Sequence, residues 1–344
     1  MKAYLLSIMN DERKTIDGYA VGIFLSIAAA AYSFLLRCVY FLYRINILRS
    51  HKMRAKVISV GNITLGGTGK TPFVIALAEN IKAMGKKPAV LSGGYGNDES
   101  HLLEERLQDL PVLTGKNRVK NAEIAENRLG SNCVILDDGF QHYRIKRDLD
   151  IILIDATCPF GNMKLFPRGI LREPLARLKD ADIAILTKCD MGRGNIDYIR
   201  NILKRFNDKI EIAESFYQPV GFRKLFFEEL MPVTCIKDKR IALLAGIANT
   251  RYFEWMAGSL GAEIAEKFYY TDHYQYKEKD AAFIVEKCLA RSINVIVTTE
   301  KDAVRLKRLK NITQEIEIFV LRIDFRISSN EKIIANRLHS VFNS

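Results

Sequence analysis

A chain of 344 residues with 48% hydrophobic and 27% charged side chains is long enough for roughly two domains and too apolar to stay disordered. Its six cysteines, Cys38, Cys133, Cys158, Cys189, Cys235 and Cys288, include no C-x-x-C pair. They support neither a zinc site nor a disulfide framework and suit a reducing compartment. The net charge of +12 fits nucleic acid, an anionic membrane surface or phosphorylated substrates, but no Arg-rich helix or aromatic-basic module singles out nucleic acid.

The first element in the chain is apolar. Residues 18–43, GYAVGIFLSIAAAAYSFLLRCVYFLY, begin with about 19 uncharged residues, close to the ~20 a helix needs to cross a bilayer. Arg37 is the one charge and can snorkel from near an end. Arg44, Arg49, Lys52, Arg54 and Lys56 follow the run, whereas Asp11, Glu12 and Asp17 offset Arg13 and Lys14 before it. This places the rest of the chain on the cytoplasmic face of the membrane, and leaves open whether the helix spans the bilayer or lies in its interface.

A β-branched strand, Lys56–Val60, then leads into Gly61-Asn62-Ile63-Thr64-Leu65-Gly66-Gly67-Thr68-Gly69-Lys70-Thr71-Pro72, and a helical pattern follows over Phe73–Met84. This order of strand, glycine loop, Lys-Thr and helix predicts a phosphate cradle. Backbone N–H groups of Gly66, Gly67, Thr68 and Gly69 would face a polyphosphate, Lys70 would reach its outer phosphates, and the Thr71 hydroxyl would hold Mg²⁺. Thr64 stands where the general G-x-x-x-x-G-K-[ST] pattern has glycine, and Gly66 and Gly67 are expected to supply the missing freedom.

Further strands are expected at Ala89–Leu91, Cys133–Leu136, Ile151–Ile154 and Ile183–Leu186, with helices at Arg118–Arg128 and near Asn195–Asp208. The alternation predicts an α/β fold, a P-loop-type parallel sheet with helices on both faces. Strands at Ile241–Ala245 and Val295–Val297 open a second, smaller α/β domain. The expected division is a membrane-anchoring segment 1–50, a P-loop core 51–216, a linker 217–235 and a C-terminal domain 236–344. Asp137 and Asp138 emerge where strand Cys133–Leu136 ends, the edge at which open α/β sheets bind ligands. Either can complete a Mg²⁺ site with Thr71 and nucleotide phosphates.

Taken together, VGNITLGGTGKTP, GGYG, DDGFQHYRIKRDLDIILIDA, FGNMKLFPRGILREPLARL, TDHYQY and TTEKDAVRL resemble the tetraacyldisaccharide 4′-kinase family, which phosphorylates the lipid A precursor in Gram-negative bacteria. Thr64 is ordinary within that family, and its N-terminal membrane segment is shared. The resemblance implies transfer of the γ-phosphate of ATP to the 4′-hydroxyl of an acylated glucosamine disaccharide 1-phosphate. It implies that Asp137, Asp138 and Glu173 lie around the metal, that Arg118 and Arg172 neutralise phosphate charge, and that Gln141 and His142 line the site. It nominates Asp98 and His273 as a catalytic pair, with the smaller domain bringing His273 to Asp98 on closure. Two positions depart from the family pattern: Asn97 replaces a glycine and Gly93 replaces an arginine.

The rival reading rests on Thr187-Lys188-Cys189-Asp190, which resembles the guanine-reading box of a membrane-associated P-loop GTPase. Asp137-Asp138-Gly139-Phe140 lacks the D-x-x-G spacing such a protein needs. A nucleotide-binding membrane scaffold without phosphotransfer is the third class, and an inactive Asp98→Ala variant would argue against it.

Overall fold

The computed structural model describes residues 8–9, 15–94, 98–309, 312 and 315–343. The charges at 11–14 and Asn97 lie outside the described residues. In chain order the first half has α1 (Ile16–Arg44), β1 (Lys56–Gly61), α2 (Lys70–Ala83), β2 (Pro88–Ser92), α3 (Asp98–Arg106), β3 (Val112–Thr114), α4 (Arg118–Asn127), β4 (Cys133–Asp137) and β5 (Leu149–Asp155). The second half has β6 (Ile183–Thr187), α5 (Ile196–Phe206), β7 (Glu211–Lys224), β8 (Arg240–Ala245), α6 (Thr250–Ser259), β9 (Glu263–Tyr269), α7 (Glu278–Leu289), β10 (Val295–Thr299), α8 (Glu300–Leu306), β11 (Glu317–Ser329) and α9 (Lys332–Asn343).

These elements form two compact units, each discontinuous in sequence. One comprises residues 1–93, 113–216 and 327–344, and the other 94–112 and 217–326. The chain passes between them within the long strands β7 and β11 as well as near residues 93 and 112. Sequence patterning alone suggested contiguous segments, because periodicity reports local structure and not which elements share a core.

In the first unit the strand order is β3-β2-β4-β1-β5-β6-β7, and the β2/β4, β1/β4, β1/β5, β5/β6 and β6/β7 pairs are parallel. The β-branched and aliphatic strands are buried on both faces. Val57, Ala89, Leu91, Val134 and Leu136 share a cluster with Val119, Ala122 and Ala125 of α4. Their neighbours of opposite parity, Ile58, Val60, Val90 and Ile135, are fully buried as well. On β1, β2 and β4 rests α2, which buries Phe73, Val74, Leu77, Ala78 and Ile81. Each of the larger of these side chains contributes about 1.5–3 kcal/mol, and the expected parallel sheet with helices on both faces is what results. Register places Val60 beside Asp137, so the glycine loop after β1 and the carboxylates after β4 leave the sheet at one edge.

The second unit has the strand order β11-β10-β8-β9, all parallel. Ala242, Leu244, Ile296, Ile318 and Val320 pack with Ile284 and Cys288 of α7 and with Ala303 and Leu306 of α8. The short α3 lies against α8, and its Leu102 and Leu103 are buried.

Candidate functional site

The glycine loop turns through two left-handed positions, Gly66 at φ 107° and Gly69 at φ 87°. Gly69 occupies the N-cap of α2, where a side chain would be strained, and the helix N-terminus presents its unpaired N–H groups and positive dipole end there. Thr68 N–H turns back on the Gly66 carbonyl at 3.1 Å. The Thr68 hydroxyl, 2% exposed, has no hydrogen-bond partner among the described residues. Behind the loop, Lys188 Nζ donates to the Gly67 carbonyl at 2.8 Å and Thr187 Oγ1 to the Thr68 carbonyl at 2.9 Å. Lys188 is also paired with Asp155. The Thr187-Lys188 pair therefore serves the loop as a brace, and Asp190 of the same box is exposed.

Asp138 is the focus of charge in this unit. Its carboxylate accepts both arms of the Arg172 guanidinium, at 2.8 and 3.0 Å, and lies 3.4 Å from Lys70 Nζ. Arg118, almost buried, donates to the Asp138 carbonyl at 3.1 Å. Burial works to raise the Asp138 pKa, but Lys70, Arg172 and Arg118 outweigh it and hold the carboxyl well below the usual range. Asn62 ties the group together. Its Oδ1 accepts from Lys70 and Arg172, each at 3.2 Å, its Nδ2 donates to the Thr64 carbonyl, and its own carbonyl accepts from Gln141. The sequence reading passed over Asn62, although a buried asparagine directly after a buried strand must find partners.

The oxygen donors fit Mg²⁺ chemically, being hard and placed at the sheet edge. Thr71 in the first turn of α2 and Asp137 at the end of β4 are 2% and 3% exposed. Asp138, also named for the metal, is committed to Arg172 and Lys70. Glu173 is committed too: its two carboxylate oxygens accept from Tyr40 and Tyr143. No cluster of three or more His, Cys, Asp or Glu side chains suited to a metal occurs among the described residues. Gln141 and His142 follow in the same turn. The His142 pKa is pushed down to about 4 by burial and by Arg118, Arg144 and Arg147, so the ring is neutral at pH 7.

Tyr40 belongs to α1. This helix runs 29 residues, and an 18-residue window within Gly18–Arg44 reaches a mean hydropathy of 1.9 with little of it buried. Ile23, Phe24, Ile27, Phe34 and Leu35 are exposed. The other face carries Ala29, Tyr32 and Tyr40, at the i, i+3 and i+11 spacing that keeps one side of a helix. Tyr32 donates to the Arg172 carbonyl at 2.9 Å, and Arg177 stacks on the rings of Tyr40 and Tyr143 at 4.7 and 5.1 Å.

In the second unit Asp98 opens α3 and is 3% exposed. His273 Nδ1 lies 3.0 and 3.2 Å from its two oxygens. The imidazole side chain is 41% exposed and its Nε2 lies 3.8 Å from Asp272. His273 has φ 58°, and its backbone N–H is held by the Gly246 carbonyl at 3.2 Å. The Asp98 hydrogen bond, against burial and with help from Asp272 and Glu99, raises the His273 pKa. Burial opposes ionisation of Asp98, yet His273, Arg305 and Lys301 lower its pKa. Both residues lie in one unit and are already in contact, so domain closure is not what joins them.

A glycine loop capping a helix, a lysine at its mouth and carboxylates at the adjacent strand end, on a parallel sheet, define a P-loop nucleotide-binding protein. The chain belongs to the tetraacyldisaccharide-1-P 4′-kinase (LpxK) family, whose profile matches residues 21–343. It is similar to the tetraacyldisaccharide 4′-kinase of Halothermothrix orenii, with 33% identity over 95% of this chain and 94% of the relative. The corresponding protein of Syntrophus aciditrophicus is 37% identical over 78% and 80%. Among solved structures it is similar to LpxK of Aquifex aeolicus, crystallised in complex with ATP, with a TM-score of 0.70, 26% identity and coverage of 91% and 97%.

Proposed function

We propose that this chain transfers the terminal phosphoryl group of ATP to the 4′-hydroxyl of a tetraacylated glucosamine disaccharide 1-phosphate, giving the bisphosphorylated lipid IVA at the cytoplasmic face of the inner membrane. The observation that carries this reading is the convergence of Lys70, Arg172 and Arg118 on the Asp138 corner beside the glycine loop. Three cations held by one carboxylate residue and one asparagine are positioned to receive a polyphosphate without reorganising, which is where most phosphoryl-transfer catalysis originates. The N–H groups of Gly66, Gly67 and Gly69 and the Thr68 hydroxyl take the phosphate oxygens. Thr71 and Asp137 would hold Mg²⁺, which when bound neutralises charge between the outer phosphates.

The attacking sugar hydroxyl must lose its proton. Asp98 is buried and His273 is substantially exposed, which favours His273 Nε2 as the proton acceptor and Asp98 as the group that fixes the ring and stabilises the imidazolium. The exposed apolar face of α1 favours attachment to lipid, so that the acyl chains stay in the bilayer while the sugar head is presented to the protein. Basic residues Arg49, Lys52, Arg54 and Lys56 add about 1 kcal/mol each toward an anionic surface. The deciding experiment is incubation of the purified protein with labelled ATP, Mg²⁺ and the disaccharide 1-phosphate, followed by chromatography. A bisphosphorylated product supports the reading, and nucleotide turnover that prefers GTP and ignores the lipid revives the GTPase alternative.

A further inference from the structure

The TTEKDAVRL block supplies charged side chains that none of these steps uses. Arg305, on α8, is 2% exposed. Its Nη2 donates to Asp302 Oδ1 at 2.6 Å and to the Gly246 carbonyl at 3.0 Å. Asp302 is fully buried and also accepts from Gly246 N–H, the Tyr276 hydroxyl and the Thr299 hydroxyl at 2.7–2.9 Å, so the guanidinium is anchored to a group that cannot move. Its Nη1 lies 3.7 Å from Asp98 Oδ2, and neither Nη1 nor Nε makes a hydrogen bond among the described residues.

We propose that Arg305 is a positioning residue for the Asp98–His273 pair, fixing both members through the carbonyl of Gly246 and the charge it turns toward Asp98. The inference rests on the reading of that pair as the proton acceptor. The Gly246 carbonyl is the common point: it accepts from the backbone N–H of His273 and from Arg305 Nη2. A methyl group on Gly246 would sit 3.1 Å from the Tyr276 hydroxyl and 3.2 Å from Asp302 Oδ1, so the network closes tightly around this residue. The other charges facing the pair are Asp272 on its own loop, Glu99 on α3 and Lys301 on α8. Lys301 is paired with Glu99, which leaves Arg305 as the cation whose second nitrogen addresses Asp98. In so dry a place a charge at this distance acts strongly, and a planar fork that grips two acceptors with one nitrogen and faces a third with the other is not replaced by an ammonium.

The test follows His273 itself, one of five histidines in the chain, by NMR titration of full-length wild type, Arg305→Met and Arg305→Lys, with kinase assays alongside. Removing the cation favours the protonated pair. In Arg305→Met the His273 midpoint should rise by about half a unit or more, and kcat should fall about tenfold with the KM for ATP unchanged within about twofold. Arg305→Lys should recover part of both. Arg305→Gln, which keeps a donor for Gly246, carries the same expectation should Arg305→Met not fold. A midpoint within about 0.2 unit of wild type, or a kcat loss matched by an equal rise in the KM for ATP, overturns the inference. Asp98→Asn with full kinase activity would instead overturn the reading of the pair, whatever Arg305 does to His273.

Discussion

The two charge clusters of this protein are built on opposite plans. Around Asp138 the charges are fixed in place: Lys70, Arg172 and Arg118 surround a carboxylate that they hold far below its usual pKa. Around His273 the charge is conditional, since an imidazole whose pKa is raised faces a carboxylate whose pKa is lowered. The first arrangement suits holding and neutralising phosphates, which need fixed charge at fixed positions. The second suits taking up a proton, which needs a group that titrates. The same contrast appears in exposure: Asp98, Arg305 and Asp302 are sealed while the imidazole they support is open.

The sharpest way to break this division is to remove one charge from each side. Lys70→Ala should lower kcat about 10³-fold with His273 titrating as in wild type, because its partners Asn62 and Asp138 belong to the first unit; an altered His273 titration would show that the clusters are not independent. Next in size, His273→Ala should cost about 10²–10³-fold while binding of a fluorescent ATP analogue stays within about twofold of wild type. The pH dependence carries a definite sign. A base must be deprotonated to act, so log kcat/KM should rise with pH through a midpoint above the 6.5 of free histidine and then level. Stability runs the other way: the stabilisation from protonated His273 on Asp98 is complete below 6.5 and fades as pH climbs through the raised value. A rate profile with its acid limb below 6.5 would contradict the assignment.

How much of this was legible in the sequence differs between the two clusters for a physical reason. The glycine loop, Lys70 and Asp137-Asp138 follow directly from local order, because a phosphate cradle is made by consecutive residues whose backbone does the work. Strands β1, β4, β5 and β6 declared themselves as short apolar runs, whereas β7, β9 and β11 carry too many charges among their apolar residues to stand out. Asn62, Tyr32, Tyr40 and Arg305 were not legible, since each depends on at least one partner more than 50 residues away. Residues 94–112 look like part of the P-loop core when read along the chain, and only three-dimensional contacts reveal that α3 packs on α8. The family resemblance named Asp98 and His273, but nothing in their spacing announces that they touch.

A smaller effect tests how specific the phosphate-side cations are. Arg172→Lys keeps the charge and loses the two-armed grip on Asp138, so kcat should fall about tenfold with the KM for ATP rising less than threefold. An unchanged kcat would mean that any cation suffices there and that the Asn62–Arg172–Asp138 geometry is incidental.

The smallest expected effect reaches the first cluster from the membrane side. Tyr40→Phe removes only a hydroxyl, leaving the ring against Tyr143 and Arg177 and Glu173 with Tyr143 as its remaining hydroxyl donor. Burial already pushes the Glu173 pKa up, with Tyr40 first among the groups that oppose it, so losing that donor should bring the carboxyl nearer protonation and cost about 1–2 kcal/mol of stability. Chemical denaturation should register that loss, and kcat should drop two- to fourfold because Glu173 directly follows Arg172. Deleting residues 1–45 removes Tyr32 and Tyr40 as well as the lipid-facing side chains, so it should lower kcat in addition to raising the KM for micellar lipid more than that for ATP. If the deletion changes only the lipid KM and Tyr40→Phe changes nothing, α1 is an anchor alone, and the phosphate cluster owes the membrane helix none of its geometry.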